Sequence, residues 1–149
     1  MKFYIKIFAI LFPILVALDV SWIGVIANSF YKHAFGDLLT TTPNYYAAGA
    51  FYVLYACALM YFALLPALKE ESFVLAFVRG AALGFVSYMT YDLTNMATLT
   101  NWPLMLTLVD ITWGVVMSAV ASGLTYLLSV KLYGLEHPEA SDIQEQVLA

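Results

Sequence analysis

The chain has 149 residues, 63% of them hydrophobic and only 11% charged, with a mean hydropathy of +0.85. A soluble domain carries about 25% charged residues, so an ordinary water-soluble globule is excluded, and so is disorder, which requires low hydrophobicity. Six Lys plus Arg against ten Asp plus Glu leave no basic face for nucleic acid. The single cysteine, Cys57, rules out an internal disulfide framework or a Cys-based zinc site and suits a small packing residue in an apolar stretch.

Four stretches approach the roughly 20 apolar residues that a membrane helix needs. They cover residues 7–27, 45–67, 73–95 and 104–130. The first is too long, and too interrupted by Asp19, to read as a cleaved signal. The breaks are 28–44, with His33, Gly36, Asp37 and Pro43; then 68–72; then 96–103, which closes on Asn101-Trp102-Pro103 with Pro103 at a helix start. The fold class is therefore an all-α, four-helix transmembrane bundle over 1–130. Residues 131–149, with Glu136, Glu139, Asp142 and Glu145, form an acidic tail expected to be solvated and mobile. Placing both termini inside puts Lys2, Lys6, Lys69, Arg79 and Lys131 in the cytoplasm and only Lys32 outside, which predicts an N-in, C-in protein of the bacterial inner membrane.

Asp19, Asp92 and Asp110 fall inside the spans, where a charged residue costs about 2.5–3.5 kcal/mol. In the predicted topology all three reach the outer-leaflet half from different helices. Asp19-Val20-Ser21-Trp22 resembles Asp110-Ile111-Thr112-Trp113, with Asp and Trp three apart on one helix face. Tyr88, Tyr91 and Asn95 flank Asp92, and Tyr52 and Tyr55 add hydroxyls from the second span. Trp22 and Trp113 fit the cluster or an interfacial belt equally well, whereas Trp102 fits the belt. Gly80, Gly84, Tyr88 and Asp92 form one small-residue ridge, and Asp110, Gly114, Ser118 and Ser122 another, suited to close helix packing or to a homodimer.

No Lys or Arg lies deep in any span to pair with these acids. The leading expectation is an outward-facing carboxylate and aromatic pocket for a small or lipid-like ligand, with Asp19, Asp92, Asp110, Tyr88, Tyr91, Asn95, Trp22 and Trp113 as its residues. Alternatives are a lipid-modifying membrane enzyme, a proton-coupled homodimeric transporter, and an accessory membrane subunit in which the acids are interhelical clamps. Asp92, Asp110 and His33 are weak metal candidates, but no helical His pair supports them and no metal site is expected. No cofactor is identified, and membrane lipids or a membrane-complex subunit are the expected partners. No Ser-His-Asp set, phosphate loop or thiol motif supports hydrolase or nucleotide chemistry.

The runs Leu18-Asp19-Val20-Ser21-Trp22-Ile23-Gly24, Phe51-Tyr52-Val53-Leu54-Tyr55, Thr90-Tyr91-Asp92-Leu93-Thr94-Asn95 and Val109-Asp110-Ile111-Thr112-Trp113-Gly114 resemble the bacterial membrane-protein family catalogued as domain of unknown function 2177. The resemblance extends from about Phe12 to Ser129, and Thr90 to Asn95 is its most specific element. It implies a small polytopic inner-membrane protein and tilts the expectation toward lipids without indicating a reaction.

Overall fold

The computed structural model describes residues 2–36, 39–40 and 42–134. Helix α1 (Lys2–Ser21) runs into a π-helical turn at Trp22–Ile26, and α2 (Asn28–Phe35) follows. Helix α3 (Tyr45–Leu59) passes through a second π-helical turn, Met60–Leu64, into α4 (Leu65–Lys69). Then come α5 (Phe73–Thr98) and α6 (Leu104–Tyr133). Four continuous stretches are long and apolar enough to cross a membrane: Lys2–Ile26, Tyr45–Lys69, Phe73–Thr98 and Leu104–Tyr133. The last helix carries three residues of the expected tail, and 135–149, with its four acids, lies outside the described residues. The expected break at 28–44 contains a helix of eight residues, α2, which the sequence reading did not anticipate.

Local chemistry explains where the elements begin. The Asn44 side chain caps α3, accepting from the backbone N–H groups of Tyr46 and Ala47 at 3.1 Å each. Ser72 caps α5 through Leu75 N–H at 3.2 Å. Pro103 precedes the first residue of α6, in extended conformation and with no N–H to leave unsatisfied. Gly36, with φ +50°, ends α2 in a conformation that a side chain would strain.

Consecutive spans run antiparallel. At one end Lys6 lies 4.6 Å from the centre of the Tyr133 ring, Phe73 packs edge-on to Tyr126, and Arg79 donates to the Phe62 carbonyl at 3.5 Å within the second π turn. At the other end α2 folds back over the bundle, and the three intramembrane aspartates lie beneath it. Helix α6 is central, carrying more buried residues than any other element, and α5 and α6 make the most extensive pair. Cys57 lies on the exposed outer face of α3.

The two small-residue ridges interlock. A Cβ on Gly84 would lie 2.1 Å from the Gly114 carbonyl oxygen, and one on Gly80 would lie 2.6 Å from the Ser118 carbonyl oxygen. A Cβ on Gly114 would meet the Tyr88 ring at 2.3 Å. Without a hydrophobic force between helices in lipid, this backbone approach supplies the dispersion contacts that hold the pair.

Gly84→Ala pushes a methyl group into backbone that cannot rotate away, so it should cost about 1–3 kcal/mol, the usual range for overpacking. Thermal unfolding in detergent should show a clear drop in Tm. Gly49→Ala, where a Cβ meets nothing within 4 Å, should leave Tm unchanged or slightly higher.

Candidate functional site

Asp19, on α1, is 3% exposed and fully engaged. Its Oδ2 accepts from the Tyr52 hydroxyl of α3 at 2.8 Å, and its Oδ1 accepts from Trp113 Nε1–H of α6 at 3.1 Å. One carboxyl thus joins three spans. Asp110, 7% exposed on α6, accepts through Oδ1 from the Tyr31 hydroxyl of α2. Tyr31 in turn accepts from Trp22 Nε1–H at 3.1 Å. The Trp22 and Trp113 rings stack between the two acids, 4.4 Å apart and 6° from parallel. The two Asp-x-Ser/Thr-Trp segments therefore cross over. The second segment's Trp bonds the first segment's Asp directly, and the first segment's Trp reaches the second segment's Asp through Tyr31.

Tyr31 is the residue the sequence reading missed. It lies on α2, within the expected break at 28–44, yet Ala27, Tyr31, Ala34 and Phe35 follow helical spacing, the signal of an amphipathic turn. Ala27 and Tyr31 are buried with Leu106, and Trp22, Phe35 and Trp102 pack around them. Burial and then the bond to Asp110 hold the Tyr31 phenol above the usual tyrosine range, against an opposing pull from the Trp22 N–H. Tyr31 is accordingly a neutral donor at physiological pH. Trp102 also belongs to this cap, donating to Thr107 Oγ1 at 3.0 Å and packing edge-on to Phe35.

Asp92 differs from the other two acids. It is completely buried, and neither carboxyl oxygen has a hydrogen-bond partner among the described residues. The antiparallel register follows from the glycines: Gly80 meets Ser118 and Gly84 meets Gly114, so the next turns set Tyr88 level with Asp110 and Asp92 level with Leu106. Asp92 and Asp110 lie within electrostatic range of each other, as do Asp110 and Asp19. Among the described residues none of these acids is ion-paired.

The other expected site residues are placed unevenly. Tyr88 lies one turn below Asp92, half-buried, with its ring against Gly114. Asn95 is half-buried on the turn beyond Asp92. Tyr91 faces outward, edge-on to Trp102 at 6.0 Å. The hydroxyls of Thr90, Thr94 and Thr98 donate to the carbonyls of Val86, Thr90 and Thr94 on their own helix, so none serves Asp92. Tyr55 and Ser118 share a 2.7 Å hydrogen bond deeper in the bundle. Lys32 and His33 are exposed on α2, and among the described residues no three His, Cys, Asp or Glu side chains are grouped to hold a metal ion.

A family model described as a predicted membrane protein, DUF2177, matches residues 4–127, and the chain belongs to that family. It is a multi-pass membrane protein by this match and by its four apolar helices. No curated protein and no solved structure matches the chain.

Asp19→Ala should destabilise the protein by about 1–3 kcal/mol, because it strands two donors; Asp19→Asn, which keeps an acceptor, should cost less. Tyr31→Phe removes two hydrogen bonds, the one given to Asp110 and the one received from Trp22, and should cost about 1–3 kcal/mol. Detergent unfolding curves give both values. The Trp22 and Trp113 stack should produce a near-ultraviolet circular dichroism couplet, absent in Trp22→Phe.

Proposed function

We propose that this DUF2177-family protein binds a small or lipid-like ligand through Asp92, in a pocket facing the outer leaflet of the bacterial inner membrane. The observation that carries this reading is the donor supply. Asp19 and Asp110 receive hydrogen bonds from Tyr52, Trp113 and Tyr31, so they act as interhelical clamps. Asp92 receives none, although it is as deeply buried as they are. A buried polar group left unsatisfied costs about 1–3 kcal/mol, and more when charged, so a partner from outside the chain is strongly favoured. Tyr88 on the inner side and Asn95 on the outer side mark the extent of the site along α5.

The outward orientation rests on charge. The end of the bundle opposite the acids carries Lys2, Lys6, Lys69, Arg79 and Lys131, and basic residues near span ends are retained in the cytoplasm. A reporter fused after Ala149 should accordingly be cytoplasmic, and one inserted at Thr40 should be external; the reverse result would turn the site to the cytoplasmic leaflet.

Extraction of the purified full-length protein followed by mass spectrometry should recover a lipid or small molecule in near-stoichiometric amount. Asp92→Asn should lose it while keeping the near-ultraviolet tryptophan signal, whereas Tyr52→Phe should retain it. Equal recovery from wild type and Asp92→Asn would remove Asp92 from ligand binding.

A further inference from the structure

Arg79 is the only arginine of the chain, and it lies at the end of the bundle opposite the acids. Its position is tied to a proline on the neighbouring span. At the usual helical spacing the Phe62 carbonyl accepts from residue 66, but Pro66 has no N–H to give. Phe62 lies in the π-helical turn Met60–Leu64, and Arg79 Nη1 of α5 donates to its carbonyl at 3.5 Å. Arg79 is six residues beyond Phe73 and Phe62 is seven before Lys69, so the contact holds the guanidinium about 9–10 Å below the turn that joins α4 to α5.

That depth is a demanding one for a fixed positive charge. Arg79 is exposed, as are Phe62 and its own neighbour Val78, so the guanidinium faces lipid rather than the bundle core. It has five N–H donors, and the Phe62 carbonyl takes one. Among the described residues no carboxylate is paired with it, and Glu70 and Glu71 lie in the turn above, next to Lys69.

We infer that Arg79, held by the π turn, binds the phosphate of an anionic phospholipid in the leaflet at this end. A charged side chain exposed at membrane depth is stabilised by drawing headgroups and water toward it. The planar N–H fork matches two phosphate oxygens, and the Phe62 contact fixes its orientation in advance. In a zwitterionic lipid the ammonium already offsets the phosphate, whereas an anionic lipid neutralises the guanidinium in full. Lys2, Lys6, Lys69 and Lys131 lie at the same end and add potential of the same sign. The acyl chains rest on the exposed apolar side chains of Phe62 and Val78. This site is separate from Asp92, near the other end of α5, and stands or falls independently of it.

With a single arginine in the chain, phenylglyoxal modification of the dodecyl maltoside-solubilised full-length protein, read by intact mass and peptide mapping, reports on this one guanidinium. Phosphatidylglycerol should halve the modification rate at a concentration at least about fivefold below that of phosphatidylcholine, the factor equivalent to about 1 kcal/mol per basic residue facing anionic lipid. Inorganic phosphate should leave the rate unchanged. Equal half-concentrations for the two lipids overturn the anionic assignment, slowing by inorganic phosphate alone overturns the lipid, and an unchanged rate with every probe overturns the site. Native mass spectrometry then tests the residue: Arg79→Gln should lose the phosphatidylglycerol preference, and Lys69→Gln should keep it. Equal loss in both variants reveals a diffuse basic surface and overturns the Arg79 site. The protection assay uses wild-type protein alone, so it decides the question even where Arg79→Gln folds poorly.

Discussion

The close approach of α5 and α6 is the constraint on which the rest of the structure depends. At Gly84 and Gly114 the two backbones are so near that no side chain fits between them, and this fixes both the spacing and the register of the pair. Register then decides which polar groups meet. Ser118 and Ser122 pack against Gly80, the Tyr88 ring lies on Gly114, and Asp92 falls level with Leu106, one turn beyond the level of Asp110. A slip of one turn would move Asp92 about 6 Å along the helix and change each of these pairings. The glycine contacts therefore position both acids, Asp110 one turn from Gly114 and Asp92 two turns from Gly84.

Around that fixed pair, the remaining elements are joined by carboxyl hydrogen bonds. In lipid the main-chain ladder is satisfied within each helix, so side-chain bonds between helices carry orientation. Asp19 draws α3 and α6 toward α1 through Tyr52 and Trp113, and Asp110 draws in α2 through Tyr31. The Trp22 and Trp113 stack closes the circuit, placing two large apolar faces between the bonded acids and limiting access of water to them. The π-helical turn at Trp22–Ile26 begins on the last residue of the first Asp-x-Ser/Thr-Trp segment and ends just before α2. Such turns are frequent where a helix must re-aim its side chains.

Much of this was legible in the sequence because lipid imposes simple rules. Apolar length marks a span, and an acid within a span stands out against its background. The small-residue ridges were legible too, since they repeat every four residues along α5 and α6. The division of labour among the acids was not. Nothing in Asp19-Val20-Ser21-Trp22 tells whether Trp22 bonds its own aspartate, a partner's, or neither, because donor choice depends on how the helices rotate about their axes. Tyr31 was hidden for a different reason. Its helix has eight residues with Lys32 and His33 in its last turn, so its polarity resembles a loop, and only the apolar spacing from Ala27 to Phe35 shows which face is buried.

The isolation of Asp92 is best understood as a consequence of where its neighbours are already bound. On α5 the nearest hydroxyls face away from α6 and close onto their own backbone, a local bond that Thr makes readily in a helix. Across the interface, the glycine approach leaves Tyr88 wedged against Gly114, one turn before Asp92. Above, the α2 cap holds Tyr31 on Asp110, and Trp102 closes onto Thr107. Each of these contacts satisfies a group other than Asp92. An ionised Asp92 therefore lacks donors for both of its oxygens. The packing at this end therefore also leaves one buried acid without a hydrogen-bond partner among the described residues.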